Sequence, residues 1–301
     1  MKIRNCFIIV LILTMYFNLI TVNANDAVDT LAAVGAVSND ITNKNEEEFI
    51  TRAEFSFMAS KLVGATVLNP TKTRFSDVDA QNKYSGYIEY LANMGIIGDE
   101  ENPYFKPDDK VDLNTADKIL LKILGCEELV LLNGGYPVGY NNLAAKFGLH
   151  KELLLKGEYL TRNDAETMVY NALIAEIPQI LIHKTNNGDS YTVDNNNNKM
   201  ILCDKLKISV YYGTILEFNY SNQSVNFMVE KNKYKKNYVS LGNGEIVRFT
   251  SNKVIKEYEN VPVIIWVNDN QEIINLQLQK NIKLIYGCID SINGDRNREN
   301  R

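Results

Sequence analysis

The side chains that ordinarily carry chemistry are few in this 301-residue chain, and their spacing does not favour catalysis. Neither of the two histidines, His150 and His183, has a cysteine or carboxylate nearby at metal-ligand spacing. The cysteines, Cys6, Cys126, Cys203 and Cys288, lie far apart with no Cys-x-x-Cys pair. Nucleophile elbows, zincin helices and phosphate-cradling loops are missing from the sequence, and Gly213, Gly242 and Gly244 read as isolated turn glycines. A glycosidase needs two carboxylates facing one bond, and no pair of acids here is set apart from the others. The expectation is a protein that binds rather than catalyses, with no catalytic residue, cofactor or metal.

Two short segments do stand out. In Ile50-Thr51-Arg52-Ala53-Glu54-Phe55, Thr51 reads as a helix N-cap and Glu54 as the acid that returns the bond, a capping box. In Leu160-Thr161-Arg162-Asn163-Asp164-Ala165, Thr161 and Asp164 take those places. Each cap is followed directly by an arginine. A third stretch, Val111-Asp112-Leu113-Asn114-Thr115-Ala116, begins in the same way with Asp112 as cap, but carries Leu113 in the arginine's place. The closing glycine sets the register, because Ile50 to Gly64 and Val111 to Gly125 are both 14 residues apart.

The elements that carry these segments show helical periodicity between residues 26 and 177. Apolar residues recur at helical spacing in 27–37, 55–63, 87–94, 119–124, 143–147 and 165–175. Three of these runs end in the same way, Leu31-Ala32-Ala33-Val34-Gly35, Leu91-Ala92-Asn93-Met94-Gly95 and Leu143-Ala144-Ala145-Lys146-Phe147-Gly148, each a helix stopped by a glycine. The chain thus repeats helix, glycine stop, loop and capped helix three times. One such unit is too small to bury a core, so the three are expected to pack together with pseudo-threefold symmetry. From residue 181 to 290 the pattern changes to strands rich in Val, Ile, Tyr and Phe. Seven to nine strands in a small barrel or sandwich are expected there. Cys203 and Cys288 fall in strand-like runs, a disulfide between them is an alternative to buried free thiols, and Asp194–Asn198 reads as an exposed loop. The lysine-rich run 231–236 reads as a solvated hairpin edge, and 291–301 as a disordered tail.

The first 24 residues have the order of a secretory signal peptide. Lys2 and Arg4 precede an apolar run from Cys6 to Ile20, and Val22-Asn23-Ala24 fits a cleavage site. Cys6 lies at the start of that run, out of place for lipidation. The 32 Lys and Arg against 37 Asp and Glu give a net charge of −5, and losing Lys2 and Arg4 takes it to −7. That balance argues against nucleic acid as a partner.

The middle unit resembles the S-layer homology family of bacterial surface proteins. The residues that carry the resemblance are Phe75-Ser76-Asp77-Val78, Tyr87-Ile88-Glu89-Tyr90-Leu91, Gly95-Ile96-Ile97-Gly98, Tyr104-Phe105-Lys106-Pro107-Asp108-Asp109-Lys110-Val111 and the closing Leu124-Gly125. The Thr51-Arg52-Ala53-Glu54 helix start is the family's short motif, and Leu160 to Asp164 is a variant of it. On this resemblance the chain divides into repeats at 26–70, 71–126 and 127–178, followed by a β-rich domain at 181–290. The expected class is α+β, an all-α bundle of three S-layer-homology-like units before an all-β domain. The departures are the lack of a Phe-x-Asp entry before Ala27, of Thr-Arg in the second unit and of the Phe-x-Pro-Asp loop in the third.

The resemblance implies a secreted Gram-positive-type surface protein held without covalent linkage to secondary cell-wall polysaccharide, often pyruvylated, with other surface-layer proteins as further candidate partners. Arg52 and Arg162, each beside a helix's positive end, suit a ketal carboxylate. Tyr84, Tyr87, Tyr104, Tyr136 and Tyr140 are candidates for a sugar platform, with Tyr87, Tyr104 and Tyr140 put forward as contacts. Thr51, Glu54, Asp112, Thr161 and Asp164 are assigned to capping, and Asp77 to fixing a turn or capping the helix near Asn82. Two alternatives stand beside this reading. One is a structural module whose repeats no longer bind glycan, and the other a wall hydrolase with its activity in the β half.

Overall fold

The computed structural model describes residues 26–37, 45, 47–66, 70, 72–98, 102–185, 188–230 and 244–279. The expected signal segment, Cys6 and Cys288, the lysine-rich run, the strand expected at 282–289 and the tail lie outside the described residues, as does the side chain of His183.

Seven helices come first: α1 (Asp26–Ala33), α2 (Arg52–Lys61), α3 (Ser85–Asn93), α4 (Leu113–Ile123), α5 (Glu127–Leu132), α6 (Val138–Lys146) and α7 (Arg162–Ile174). The glycine stops at 35, 64, 95, 125 and 148 all hold φ between +72° and +79°, a region that costs other residues energy. In each, the residue after the glycine donates to a carbonyl five positions back, as in Ile96 N to Leu91 O at 3.0 Å and Cys126 N to Leu121 O at 3.0 Å. The helix starts are equally local. Thr51 and Thr161 each form both halves of a capping box, and Asp112 accepts from the Thr115 amide.

Those three starts meet. Ile50 N donates to Leu160 O at 3.1 Å, Leu160 N to Val111 O at 2.9 Å, and Val111 N to Ile50 O at 3.1 Å. The three residues ahead of the caps therefore close a ring of backbone hydrogen bonds, and all three side chains are fully buried. The ring runs in one sense, so each capped helix faces the loop of the next segment. Arg52 N donates to Asp109 O, and Arg162 N to Glu48 O, both at 2.8 Å.

The second half is not wholly β. It begins with an antiparallel hairpin, β1 (Ile177–Thr185) and β2 (Gly188–Lys199), followed by a short helix α8 (Ile201–Lys205). The Asn tract expected in a loop lies within β2. There pairing jumps from Asp194 opposite Gln179 to Lys199 opposite Ile177, so residues 195–198 form an irregularity inside the strand. Cys203 is in α8 rather than in a strand. A short apolar run is ambiguous by period, and packing against α7 settles it, with the buried thiol on Leu173 O. Cys203 and Cys126 are both free thiols, and burial pushes each up to about 12.

Five strands follow: β3 (Ser209–Asn219), β4 (Ser224–Val229), β5 (Ile246–Thr250), β6 (Pro262–Val267) and β7 (Ile273–Leu278). They form one antiparallel sheet in the order β5-β4-β3-β6-β7. Its two edges touch where Thr250 N donates to Gln271 O at 3.0 Å. Ile215, Phe227, Phe249, Val263 and Ile265 pack inside this curl. The opposite face of β6 and β7 rests on the helices. Trp266, Ile208 and Val210 share the bundle's core, and Asn275 and Gln277 donate to Thr30 of α1 at 2.8 and 2.6 Å. Eight helices and a five-stranded antiparallel sheet, counted among the described residues, make an α+β protein. None of these helices is long and apolar enough to cross a membrane.

Candidate functional site

The ring of helix starts brings Arg52 against the loop at 102–109. Asp77 builds that loop. Its two carboxylate oxygens accept from Phe105 N at 2.8 Å and Lys106 N at 2.6 Å, while Ser76 N donates to Pro103 O at 2.8 Å. Asp77 thus holds the turn that begins at Phe105 and Lys106, and its two oxygens are not on the helix near Asn82. Asp79 and Asn82 make the turn there by accepting from Gln81 N and Tyr84 N. The Phe75 and Phe105 rings stack at 5.3 Å beneath the loop.

Arg52 lies across this frame. Its Nε donates to Phe105 O at 2.9 Å, and its guanidinium sits 4.9 Å from the Phe105 ring centre. Among the described residues no carboxylate forms an ion pair with it. Burial lowers its affinity for the proton, and the field of Asp112, Asp109 and Asp77 works the other way. An arginine stays charged under any such shift, so it sets a fixed positive charge on the lining of a groove. That groove encloses about 190 Å³ and is lined by Arg52, Gly98, Tyr104, Thr115, Lys118 and Tyr136. Tyr104 and Tyr136 are 56% and 61% exposed, and the Lys118 ammonium lies 5.5 Å from the Tyr136 ring centre. The groove thus combines two cations with two exposed aromatic rings, groups that suit an anion carried on a ring with an apolar face.

Residues 74–112 match the family profile of the S-layer homology domain. The chain carries an S-layer homology domain. No curated protein matches the chain. The matched span holds Asp77, the 102–109 loop, α3 and the cap of α4, and it gives Phe75, Gly98, Asn102, Tyr104 and Phe105 to the lining of the groove. Arg52 comes from the segment before it, so the S-layer homology domain meets its cation from outside its own matched residues.

Elsewhere the expected residues are placed differently. Arg162 is 3% exposed and its Nη2 donates to Glu54 Oε1 at 3.1 Å, while its Nε has no partner among the described residues. It faces a protein carboxylate rather than an open groove. Tyr87 is 8% exposed, set edge-on to Phe57 at 4.9 Å and under the Lys61 ammonium at 4.8 Å. Tyr140 is 7% exposed behind Tyr136, and burial, then Glu127, raises its hydroxyl above the usual range. Helical spacing buries both rings in the bundle, so neither is a sugar platform. Tyr84 stands apart from the groove, beside a shallower hollow with Lys83 and Asp108. Of the five contacts put forward, only Arg52 and Tyr104 come together. Thr115 and Lys118 went unnoticed in the sequence. Their signal is the three-residue spacing that puts both on one face of α4, directly after a cap. Among the described residues no three His, Cys, Asp or Glu side chains are placed to hold a metal ion.

Proposed function

We propose that this is a secreted surface protein held non-covalently to cell-wall polysaccharide through the Arg52 groove, by binding and not by catalysis. S-layer homology domains bind cell-wall polysaccharide and imply association with the cell surface. The observation that carries the reading here is the Arg52 guanidinium, which among the described residues forms no ion pair with a carboxylate and shares its groove with Tyr104, Tyr136 and Lys118. An acidic sugar such as a pyruvyl ketal fits it, with the carboxylate on the guanidinium and the ring against tyrosine. The hydrogen-bonded ring of Ile50, Val111 and Leu160 supports reading residues 26–177 as three units of one kind, two of them too divergent for the family profile. The sheet then serves spacing, display or contact with other surface-layer proteins. A second reading, in which the units serve only as a scaffold, draws support from Arg162, whose charge is spent inside the protein.

Co-sedimentation of the mature chain with native cell walls tests this. Binding is expected to native walls, to fall at least tenfold in Arg52→Ala, and to be absent from walls stripped of secondary polysaccharide. Sedimentation by neither protein would leave the scaffold reading in its place, and equal sedimentation of the wild type and Arg52→Ala would move the wall contact away from the Arg52 groove.

A further inference from the structure

The order of the five strands carries information that the helical half does not. β3, β4 and β5 lie side by side in sequence order, β6 returns to the other side of β3, and β7 lies beyond β6. The two edges meet in parallel, at Thr250 of β5 and Glu272 just before β7. β3 is long and irregular between Ile215 and Glu217, with its first half paired to β6 and its second to β4. A 3₁₀ turn, Lys256–Tyr258, stands between β5 and β6, and Ile255 and Tyr258 pack on the barrel's core. This is the order of the five-stranded Greek-key barrels that take oligosaccharides or oligonucleotides on the face of their second and third strands, which here are β4 and β5.

The helices leave that face open. They cover the outer side of β6, β7 and the start of β3, through Val210, Trp266, Asn275 and Gln277. On β4, β5 and the end of β3 the outward side chains are exposed or half-buried. Glu217, Asn226 and Arg248 stand opposite one another there, across three strands. Asn226 Nδ2 donates to Glu217 Oε2 at 2.9 Å, and Arg248 Nε donates to Asn226 Oδ1 at 3.4 Å. Among the described residues Glu217 Oε1 and the terminal nitrogens of Arg248 have no partner. The row thus offers an acceptor at one end, donors at the other, and no net charge. Neighbouring sugar hydroxyls, each both donor and acceptor, can meet the two ends. A polyanion would meet Glu217 as well as Arg248, and a nucleic acid would find no aromatic side chain at the outward positions of β4 and β5 on which to stack its bases. Tyr220, 56% exposed in the β3–β4 turn, sets one ring at the rim for the apolar face of a sugar. The β3–β4 and β6–β7 turns both close on the end of β5, Gln223 O accepting from Ser251 N at 2.9 Å and Gln271 O from Thr250 N at 3.0 Å.

We propose that the outer face of β4 and β5 binds an uncharged oligosaccharide through the row of Glu217, Asn226 and Arg248. The sheet then has a ligand of its own, different in charge from the one assigned to the Arg52 groove and held on a separate surface. The proposal does not depend on the reading of that groove.

The test is an amide NMR titration of the mature chain carrying Arg52→Ala, so that the groove is silent. Chitotetraose and cellotetraose are the sugar probes. An oligothymidylate is the polyanion arm, because the lysine-rich run 231–236 lies between β4 and β5 in the sequence. At least one tetrasaccharide is expected to shift the amides of residues 217, 224–226 and 246–250 and to leave those of the helices in place. Glu217→Ala and Arg248→Ala, both at exposed positions, are each expected to weaken binding about tenfold, the loss of one hydrogen bond to a charged group, with thermal melting unchanged. Silence with both sugars, shifts confined to other parts of the molecule, or equal affinity in the two variants would overturn the proposal. Oligothymidylate bound on these strands in place of the sugars would overturn the choice of ligand. Because Arg52 is absent throughout, failure here leaves the groove standing, and sugar binding that persists while wall sedimentation is lost would show two separate sites.

Discussion

Asp117 is the residue most exposed to the cost of its own charge. Its side chain is fully buried on α4, and its two oxygens meet His150 Nε2 at 2.8 and 3.0 Å. Burial raises its affinity for the proton, the hydrogen bond and charge of His150 oppose that, and Asp112 adds to the rise. A carboxyl raised in the folded state contributes stability that is fully present below its unfolded value, about 3.9, and is lost as pH climbs through the folded value. Asp117→Asn keeps an acceptor for the imidazole and removes the charge. Urea unfolding from about pH 3.5 to 6 should therefore show the wild type losing stability relative to the variant as pH rises, and parallel curves would show that Asp117 does not titrate in that window. The same scale sets the limit of what the sequence discloses. Thr51, Glu54, Thr161 and Asp164 were legible because a capping box acts over three positions. That Arg162 is neutralised and Arg52 is not was illegible, because the acid that decides it is 108 residues away.

At the scale of elements, the helix starts and glycine stops were readable, being set within one turn of chain. The shared register of Ile50 and Val111 pointed to equivalent units, and the structure turns that into a hydrogen-bonded ring with Leu160. Where local pattern was ambiguous, tertiary packing decided, and there the reading failed. The run at 201–205 became a helix on α7, and the Asn tract lies within β2 because the pairs on either side of it, Asp194 with Gln179 and Lys199 with Ile177, both belong to β1 and β2. The ring has a kinetic consequence. Each member is donor to one neighbour and acceptor from the other, and all three are shielded from water. One hydrogen bond cannot be exposed without parting two capped helices, so the three amides should exchange only through the same large opening. Native-state hydrogen exchange at Ile50, Val111 and Leu160 should give matching free energies, near the highest in the protein. Fast exchange at one of them alone would mean that the ring is not a cooperative unit.

Across the whole molecule the question is whether the sheet is a separate module or part of the helical body. Polar and apolar residues alternate from Asn275 to Gln279, a pattern that ordinarily turns Asn275 and Gln277 to water. Both are instead buried, because that face lies on α1 and Thr30 Oγ1 accepts from both amides. Trp266 extends the same contact to Tyr170 of α7, with ring centres 6.4 Å apart. A polar seam inside an apolar contact fixes one docking position, since sliding it would strand buried donors. Thr30→Val keeps the shape and removes the acceptor. With about 1–3 kcal/mol for each of the two hydrogen bonds lost, the variant should lose roughly 2–6 kcal/mol and melt on the order of 10 °C lower. Because helices and sheet share one core, scanning calorimetry of the wild type should show a single transition that moves as a whole in the variant. Two transitions in the wild type, with neither displaced by Thr30→Val, would mean that the sheet is an independent domain and that force on it reaches the Arg52 groove only through the connecting chain.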